Sequence, residues 1–380
     1  MRIVIDVTPL SHLRTGIGNY MLGMLGGLAD ASEGRHELVH FGPTGPRNIG
    51  RLRKALNGIP GERRLYVIPP PTNLWRKLWS RARRPTVEQL VGPLDAFHFS
   101  DWMYPAQRSG LRTTTIHDLV PLHHPEWVDP RTRGLHIPKY RNAATTCDLI
   151  FANSRFTAED VVRTLGVPRE RVIVAPPGIH RRFTRKGPAR DLGGPYLFTA
   201  ATLEPRKNLD TLLAAFGQVR ALRPELQLVI AGASGWGGRE PEEEGVRTLG
   251  YVDDEDLPPL YRGAAAFVFP SFYEGFGIPV VEAMASGTPT VVSTHPSLDE
   301  ASGVAAIRAD PASPEAFAKG IERAFGERER LVPLGLEHAA GFTWRACGEV
   351  MLEAYEGVSG SRATLRTERR GLAAPQRRQR

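Results

Sequence analysis

Cysteine and long apolar runs are what this sequence has least of. Its 380 residues include only two cysteines, Cys147 and Cys347, so neither a disulfide framework nor a zinc cluster is supported, and buried free thiols are expected. No stretch is long and apolar enough to span a membrane, and the first residues have the pattern of a strand, with no long apolar stretch after a basic start. We therefore expect a cytoplasmic protein.

Net positive charge is small outside one segment. The formal net charge is +8, but residues 359–380 contain seven arginines and one glutamate, a net +6, which leaves +2 for the other 358 residues. A nearly balanced body argues against a nucleic-acid-binding protein. The arginine-rich tail, residues 358–380, has little apolar content and is expected to be disordered. Two interpretations of the tail stay open: binding to anionic lipid head groups, or no role at all.

The most informative segment is residues 269–293, in which glycines join a strand to a helix. The residues Glu-Gly-Phe-Gly-Ile-Pro stand at 274–279. Pro279 suits a first helical turn, because the N–H that proline lacks would have no partner there. A helix is expected over 280–286 and a second strand over 288–293, which makes a β-loop-α-β unit.

Two glutamates flank the expected start of this helix. Free N–H groups at a helix start bind anions; Glu274 lies in the loop before them and Glu282 in the first turn. A phosphate with hydroxyl groups on either side suits this arrangement, and a nucleotide sugar has that composition. The plainer interpretation is that both carboxylates complement the helix dipole of an ordinary α/β unit.

The same residues resemble the signature of the retaining glycosyltransferases of family 4, two-domain enzymes of the GT-B fold. The family pattern, Glu-Gly-Phe-Gly-hydrophobic-Pro followed by Glu-Ala-Met-Ala-x-Gly, is unbroken from Glu274 to Gly287. The resemblance implies an α/β protein with two Rossmann-like, doubly wound domains facing each other across a cleft. The implied parts are an acceptor domain, 1–187, a nucleotide-sugar domain, 188–342, and a last helix, 343–357, that packs back on the first domain.

The resemblance also assigns a donor site. The implied donor-binding residues are Gly16, Gly18, Tyr251, Val252, Gly275, Phe276, Gly277, Ile278 and Glu282. Gly16 and Gly18 follow the first strand, and their spacing is not that of a dinucleotide fingerprint. Taken alone, they are typical turn glycines. The backbone near Tyr251 and Val252 is implied to face the nucleotide base.

Five residues are implied to carry the chemistry: His117, Asp118, Arg206, Lys207 and Glu274. His117 and Asp118 end a strand expected over 113–116, and such strand ends line the cleft of a doubly wound domain. His117 is implied to contact the transferred sugar, and Asp118 to position the sugar or the acceptor hydroxyl. Arg206 and Lys207 are implied to neutralise the departing diphosphate in place of a divalent metal. No metal and no other cofactor is expected.

The implied function is transfer of a hexose, with retained anomeric configuration, from a nucleoside-diphosphate sugar to a saccharide or lipid-linked acceptor. The implied donor is GDP-mannose-like or UDP-linked, and the pattern is most similar to mannosyl- and rhamnosyltransferase-type members. The setting is assembly of a cell-surface polysaccharide or glycolipid. Two alternatives stay open: a nucleotide-sugar epimerase or phosphorylase on the same fold, and a non-catalytic basic nucleotide-binding protein.

A segment with two tryptophans bears on location. Trp75 and Trp79 lie at helical spacing among basic residues in 73–84. One interpretation is an interfacial helix that docks the protein on the inner face of the cell membrane, against anionic lipid. The other, which we favour, is an amphipathic helix whose tryptophans pack into the sheet.

Overall fold

Two parallel sheets, one from each half of the chain, dominate the structure, which is a computed structural model. It describes residues 1–13, 16–82, 84–101, 103–238 and 240–372, and for 360–372 the backbone alone.

The first sheet is built from strands of the first half of the chain. In chain order they are β1 (Arg2–Asp6), β2 (Glu37–Thr44), β3 (Glu62–Val67), β4 (Ala96–Phe99), β5 (Leu111–Ile116), β6 (Leu149–Ala152) and β7 (Val172–Val174). They pair in parallel in the order β3-β2-β1-β4-β5-β6-β7. The accompanying helices are α1 (Gly16–Ser32), α2 (Ile49–Ala55), α3 (Thr72–Arg81), α4 (Val87–Val91), α5 (Val120–His123), α6 (Pro130–Thr146) and α7 (Arg155–Leu165).

The second sheet repeats this plan. Its strands are β8 (Tyr196–Ala200), β9 (Gln227–Ala231), β10 (Val246–Gly250), β11 (Ala266–Phe269), β12 (Thr290–Ser293) and β13 (Ala306–Ala309). The order across the sheet is β10-β9-β8-β11-β12-β13. The helices are α8 (Leu209–Leu222), α9 (Leu257–Gly263), α10 (Ile278–Ala285), α11 (Asp299–Ser302), α12 (Pro314–Gly326), α13 (Arg328–Ala340) and α14 (Trp344–Leu372).

In each sheet there is a point at which the order of successive strands reverses direction. This point lies beside β1 and β4 in the first sheet and beside β8 and β11 in the second. Ligands of open α/β sheets bind at such points, outside the carboxyl ends of the strands. The loops after β5, β8 and β11 carry the residues predicted to be catalytic, and all three leave their sheets at this end.

The last helix, α14, returns to the first sheet and packs on α1. Glycines permit the close approach: a Cβ on Gly23 would lie 1.9 Å from the Trp344 ring, and one on Gly27 would lie 1.9 Å from the Trp344 carbonyl oxygen. The helix continues past residue 357, where its end was expected, and takes in the beginning of the segment expected to be disordered, 358–380. Residues 373–380 lie outside the described residues.

Other local expectations can be compared with the structure. Cys147 and Cys347 are buried and free, as expected. From the sequence, Asp253 is predicted to cap the helix that follows β10, but that helix begins at Leu257, so that Asp256 is the residue before its first turn. No helix in the described ranges has both the length and the apolar character needed to cross a membrane.

Candidate active site

The turn after β8 fixes the two candidate cations. Residues Pro205–Lys207 form a 3-10 turn that ends at Asn208, whose φ of 57° lies in the left-handed region. The Asn208 side-chain amide donates to the carbonyl oxygens of Pro270 (3.0 Å) and Pro311 (2.7 Å). These bonds tie the turn to the ends of β11 and β13. Arg206 and Lys207 are thereby held against the loop that begins at Pro270.

Glu274 lies between these cations. Lys207 Nζ is 2.6 Å from Oε1 of Glu274, and Arg206 donates to Oε2 at 3.0 Å. Arg206 also donates to Glu204 at 2.9 Å. The Glu274 side chain is only 9% exposed. The structure therefore joins in one buried cluster the residues that the sequence assigned to the diphosphate and to the sugar.

The pKa values in this cluster follow from its ion pairs. Burial would raise the pKa of Glu274, but Lys207 and Arg206 outweigh it and hold that pKa at about 2. Burial would lower the pKa of Arg206, but Glu274 and Glu204 raise it overall. Burial and the neighbouring Arg206 lower the pKa of Lys207 against the opposing effect of Glu274. At neutral pH the cluster therefore holds an ionised carboxylate and a permanent guanidinium charge.

The start of α10 lies directly after Glu274. Gly277 caps this helix with a φ of 99°, and a Cβ there would lie 2.6 Å from Leu298, so glycine is required. The Phe276 ring packs into the core against Phe342, with ring centroids 5.3 Å apart. Ile278 also packs on the core. Any part of Phe276 and Ile278 in donor binding therefore falls to their backbone groups.

Glu282 lies in the second turn of α10, whereas the sequence placed it in the first. The helix begins at Ile278, which places Glu282 in its second turn. Tyr261 donates to Oε2 of Glu282 at 3.1 Å. Burial raises the pKa of Glu282 to about 7, with Tyr261 opposing the rise and Asp254 adding to it. Its charge therefore changes near neutral pH.

The remaining residues of the predicted donor site are spread over both sheets. Tyr251 follows β10 at the sheet edge with 43% of its surface exposed, whereas Val252 packs on the core. Gly16 and Gly18 are inside α1, not in a loop before it: Gly16 is its first residue and is exposed, and Gly18 is buried. Residues 14 and 15, which precede them, are not described.

The first sheet meets this site at Gly275. A Cβ on Gly275 would lie 2.0 Å from the carbonyl oxygen of His117, so the two backbones are in contact. The Gly275 carbonyl oxygen accepts hydrogen bonds from the hydroxyls of Ser154 (2.6 Å) and Thr157 (3.0 Å), at the start of α7. There is therefore no space for a side chain at position 275. His117 is therefore brought next to the loop that carries Glu274.

Asp118, the residue after His117, interacts with both halves of the chain. Asp118 accepts a hydrogen bond from the Val120 backbone N–H at 3.1 Å and so fixes the start of α5. It also contributes to raising the pKa of Arg206 across the cleft. All five predicted catalytic residues are thus brought together by the fold.

A second set of contacts joins the halves beside the site. Tyr273, in the loop after β11, donates to Oδ2 of Asp160 on α7 at 2.8 Å. His123 lies 2.8 Å from the same oxygen. Sequence reasoning missed this pair, because nothing in the sequence spacing relates Tyr273 to α7.

Two matches define the family of this chain. Residues 14–183 match the family model described as Glycosyltransferase Family 4, and residues 180–335 match the model described as Glycosyl transferases group 1. The chain therefore belongs to the glycosyltransferases of family 4, group 1, and its fold is GT-B.

Individual relatives agree with that class. The chain is 29% identical over 392 residues to the O-antigen chain mannosyltransferase B of Escherichia coli, which covers 94% of this chain and 100% of that protein. It is 32% identical over 246 residues to the mannosylfructose-phosphate synthase of Agrobacterium fabrum, covering 56% of this chain and 53% of the relative. Among solved structures, HepE of Anabaena in complex with UDP and glucose matches with a TM-score of 0.69 at 16% identity, over 94% of this chain and 99% of that one.

Proposed function

We propose that this glycosyltransferase is a metal-independent, retaining hexosyltransferase that uses a nucleoside-diphosphate sugar. The observation that carries the proposal is the buried cluster of Arg206, Lys207 and Glu274 beside the start of α10, with His117 and Asp118 facing it from the first sheet. Two cations and a helix start are the groups that bind a diphosphate.

The cluster also explains how bond breaking would be assisted. Negative charge grows on the β-phosphate as the sugar leaves, and groups that are already fixed stabilise it without reorganising. Glu274 holds both cations, so their positions are set before the donor binds. Front-face attack, with the leaving phosphate accepting the proton of the acceptor hydroxyl, retains the anomeric configuration and needs no carboxylate nucleophile.

GDP-mannose is the first donor to test, and UDP-sugars are the second. Support for mannose comes from the Escherichia coli relative, named an O-antigen chain mannosyltransferase, and support for a UDP-linked donor comes from the HepE complex. The names also favour a saccharide acceptor in surface polysaccharide assembly. The test is product analysis by liquid chromatography and mass spectrometry with each donor, in the presence and absence of mannose-containing oligosaccharides.

The outcomes of this test separate the competing functions. Sugar transfer that requires acceptor supports the proposal. An epimerised donor without acceptor would point to an epimerase, and donor breakdown by inorganic phosphate to a phosphorylase. Donor binding without turnover on any acceptor would favour a non-catalytic nucleotide-binding protein. The anomeric proton coupling of the product gives the stereochemistry, and activity that persists in chelator supports metal independence.

We also propose a peripheral contact with anionic membrane through α3. Leu74, Trp75 and Leu78 are each about half exposed, at 51%, 48% and 51%. Trp79, in contrast, packs on Phe41 and donates to the Pro85 carbonyl oxygen at 2.6 Å. The expectation that both tryptophans pack inward is therefore correct for Trp79 and wrong for Trp75.

Arg76 on this helix is buried, but Lys77 and Arg81 are exposed beside the apolar face. An apolar face flanked by exposed basic residues suits the surface of an anionic bilayer. The test is sedimentation with phosphatidylglycerol vesicles. Trp75→Ser should weaken binding, and the control Trp236→Ser, which removes another exposed tryptophan, should not. Equal binding by both variants and the wild type would contradict the contact.

A further inference from the structure

Lys139 on α6 is a lysine without exposed surface. Its side chain is 0% exposed, and its Nζ lies 2.5 Å from Oδ1 of Asp101 and 2.6 Å from the carbonyl oxygen of Thr115. Buried charges are costly unless paired, so a fully buried ammonium needs both partners. Asp101 is itself buried and follows β4, at the edge of the site. This ion pair therefore lies directly under the cleft.

The second oxygen of Asp101 faces His117. Oδ2 of Asp101 is 3.7 Å from Nε2 of His117. The edge of the Tyr20 ring packs against the imidazole, with ring centroids 4.7 Å apart. The ring of His117 is thus held by Tyr20 on α1 and by the carboxylate after β4.

The charges around His117 determine its protonation. Among the described residues, the charged and titratable groups that face it are Asp101 and His98, Lys139 and His136 on α6, Asp118, and Tyr20. Burial lowers the pKa of His117, Asp101 opposes this, and Lys139 adds to it. The pKa of Asp101 is held well below its ordinary value, because Lys139 and His117 outweigh its burial.

We propose that Lys139 and Asp101 are a positioning pair, in which the buried ammonium holds the Asp101 carboxylate against His117 and thereby fixes the orientation of the imidazole. The inference deepens the proposed function, because His117 is the group predicted to meet the transferred sugar. Asp101 alone would draw a proton onto the imidazole, whereas burial of the ring and, to a smaller extent, the ammonium of Lys139 oppose that effect. A neutral ring can accept a hydrogen bond from a sugar hydroxyl. It also places no cation beside the anomeric carbon, where positive charge develops as the bond to phosphate breaks.

Two single variants should shift the pKa of His117 in opposite directions, and their combination should restore it. In Lys139→Met the unpaired Asp101 should stabilise the imidazolium, and the His117 pKa should rise. In Asp101→Asn the remaining ammonium should lower it. The double variant removes both charges and should return it towards the wild-type value. Each shift should be about one pH unit or more, as for opposite or like charges at this distance.

The measurement is a pH titration of histidine labelled with ¹⁵N, followed by NMR, with the His117 signal identified by its loss in His117→Gln. Lys319→Met, which removes an exposed lysine on α12, is the matched control and should leave the titration unchanged. Circular dichroism checks folding. If Lys139→Met does not fold, Asp101→Asn alone still tests the sign. Titrations of His117 that coincide in all folded variants would overturn the pair.

Kinetics give a second readout. With an active donor, the acid limb of the kcat profile should move to higher pH in Lys139→Met and to lower pH in Asp101→Asn. Loss of orientation should lower kcat about tenfold with little change in KM. A KM effect with an unmoved pH profile would contradict positioning. The NMR titration needs no donor, so a failure to find sugar transfer would count against the proposed function and not against the pair.

Discussion

Replacing Glu274 by Gln should destabilise the protein by about 3 kcal/mol at neutral pH. The pKa of this buried carboxyl is held at about 2, compared with its ordinary 4.5. At about 1.4 kcal/mol for each step of one in pKa, that difference corresponds to about 3 kcal/mol of ion pairing. Breaking a buried pair by removing one partner costs about 3–5 kcal/mol in other proteins, which agrees.

The stability difference between the wild type and Glu274→Gln should depend on pH in one direction. A carboxyl with a depressed pKa stabilises the folded state above its unfolded pKa, and this contribution is lost as pH falls from about 4.5 through 2. The wild type and Glu274→Gln should therefore converge in stability on acidification. Guanidinium unfolding from pH 7 down to the lowest pH at which both proteins fold measures this. Glu244→Gln, which removes an exposed partner of Arg220, is the control and should resemble the wild type. A gap that is small at pH 7 or widens in acid would refute the reasoning.

Three further predictions concern the donor and the chain end. Glu282→Ala should raise donor KM about ten- to a hundredfold with little change in kcat, since a hydrogen bond to a charged group contributes roughly 1.5–3 kcal/mol. Because the pKa of Glu282 is raised to about 7, wild-type donor KM should also rise as pH falls below 7; steady-state kinetics at several pH values test both. Gly275→Ala should abolish turnover while each half stays folded, because its Cβ would lie 2.0 Å from the His117 carbonyl oxygen; normal activity with a native circular dichroism spectrum would be inconsistent with that contact. Deleting residues 359–380 should preserve activity in solution and weaken sedimentation with anionic vesicles, and loss of fold on deletion would show that the tail is structural.

The strands of both sheets could be predicted because parallel strands buried on both faces form continuous apolar runs. Strands β4 and β8 have the expected bounds, Ala96–Phe99 and Tyr196–Ala200. The edge strand β10, Val246–Gly250, was not predicted. Its polar residues Arg247 and Thr248 interrupt the apolar run that marks a buried strand.

The candidate catalytic residues could be proposed from the sequence because they form short motifs at strand ends, and their catalytic role stays a prediction. The pairing of Glu274 with both cations could not be proposed in this way, since it depends on how Asn208 ties one loop to another. Lys139 was missed for a different reason. Helix α6 has Pro138 in its interior and little amphipathic pattern, so nothing in the sequence distinguishes this lysine from a solvent-exposed one. Asp101 did offer a signal, because it follows a buried strand.

The return of α14 to the first sheet has a consequence for biosynthesis. Cys347, Met351, Leu352 and Tyr355 share one apolar core with β1 and α1, so the domain that is translated first lacks part of its core until the last helix is made. At 5–20 residues per second, roughly 15–60 s pass between synthesis of α1 and of α14. The apolar face of α1 must stay uncovered on the ribosome for that time, where it is available to chaperones. The second domain has no such delay and can fold first.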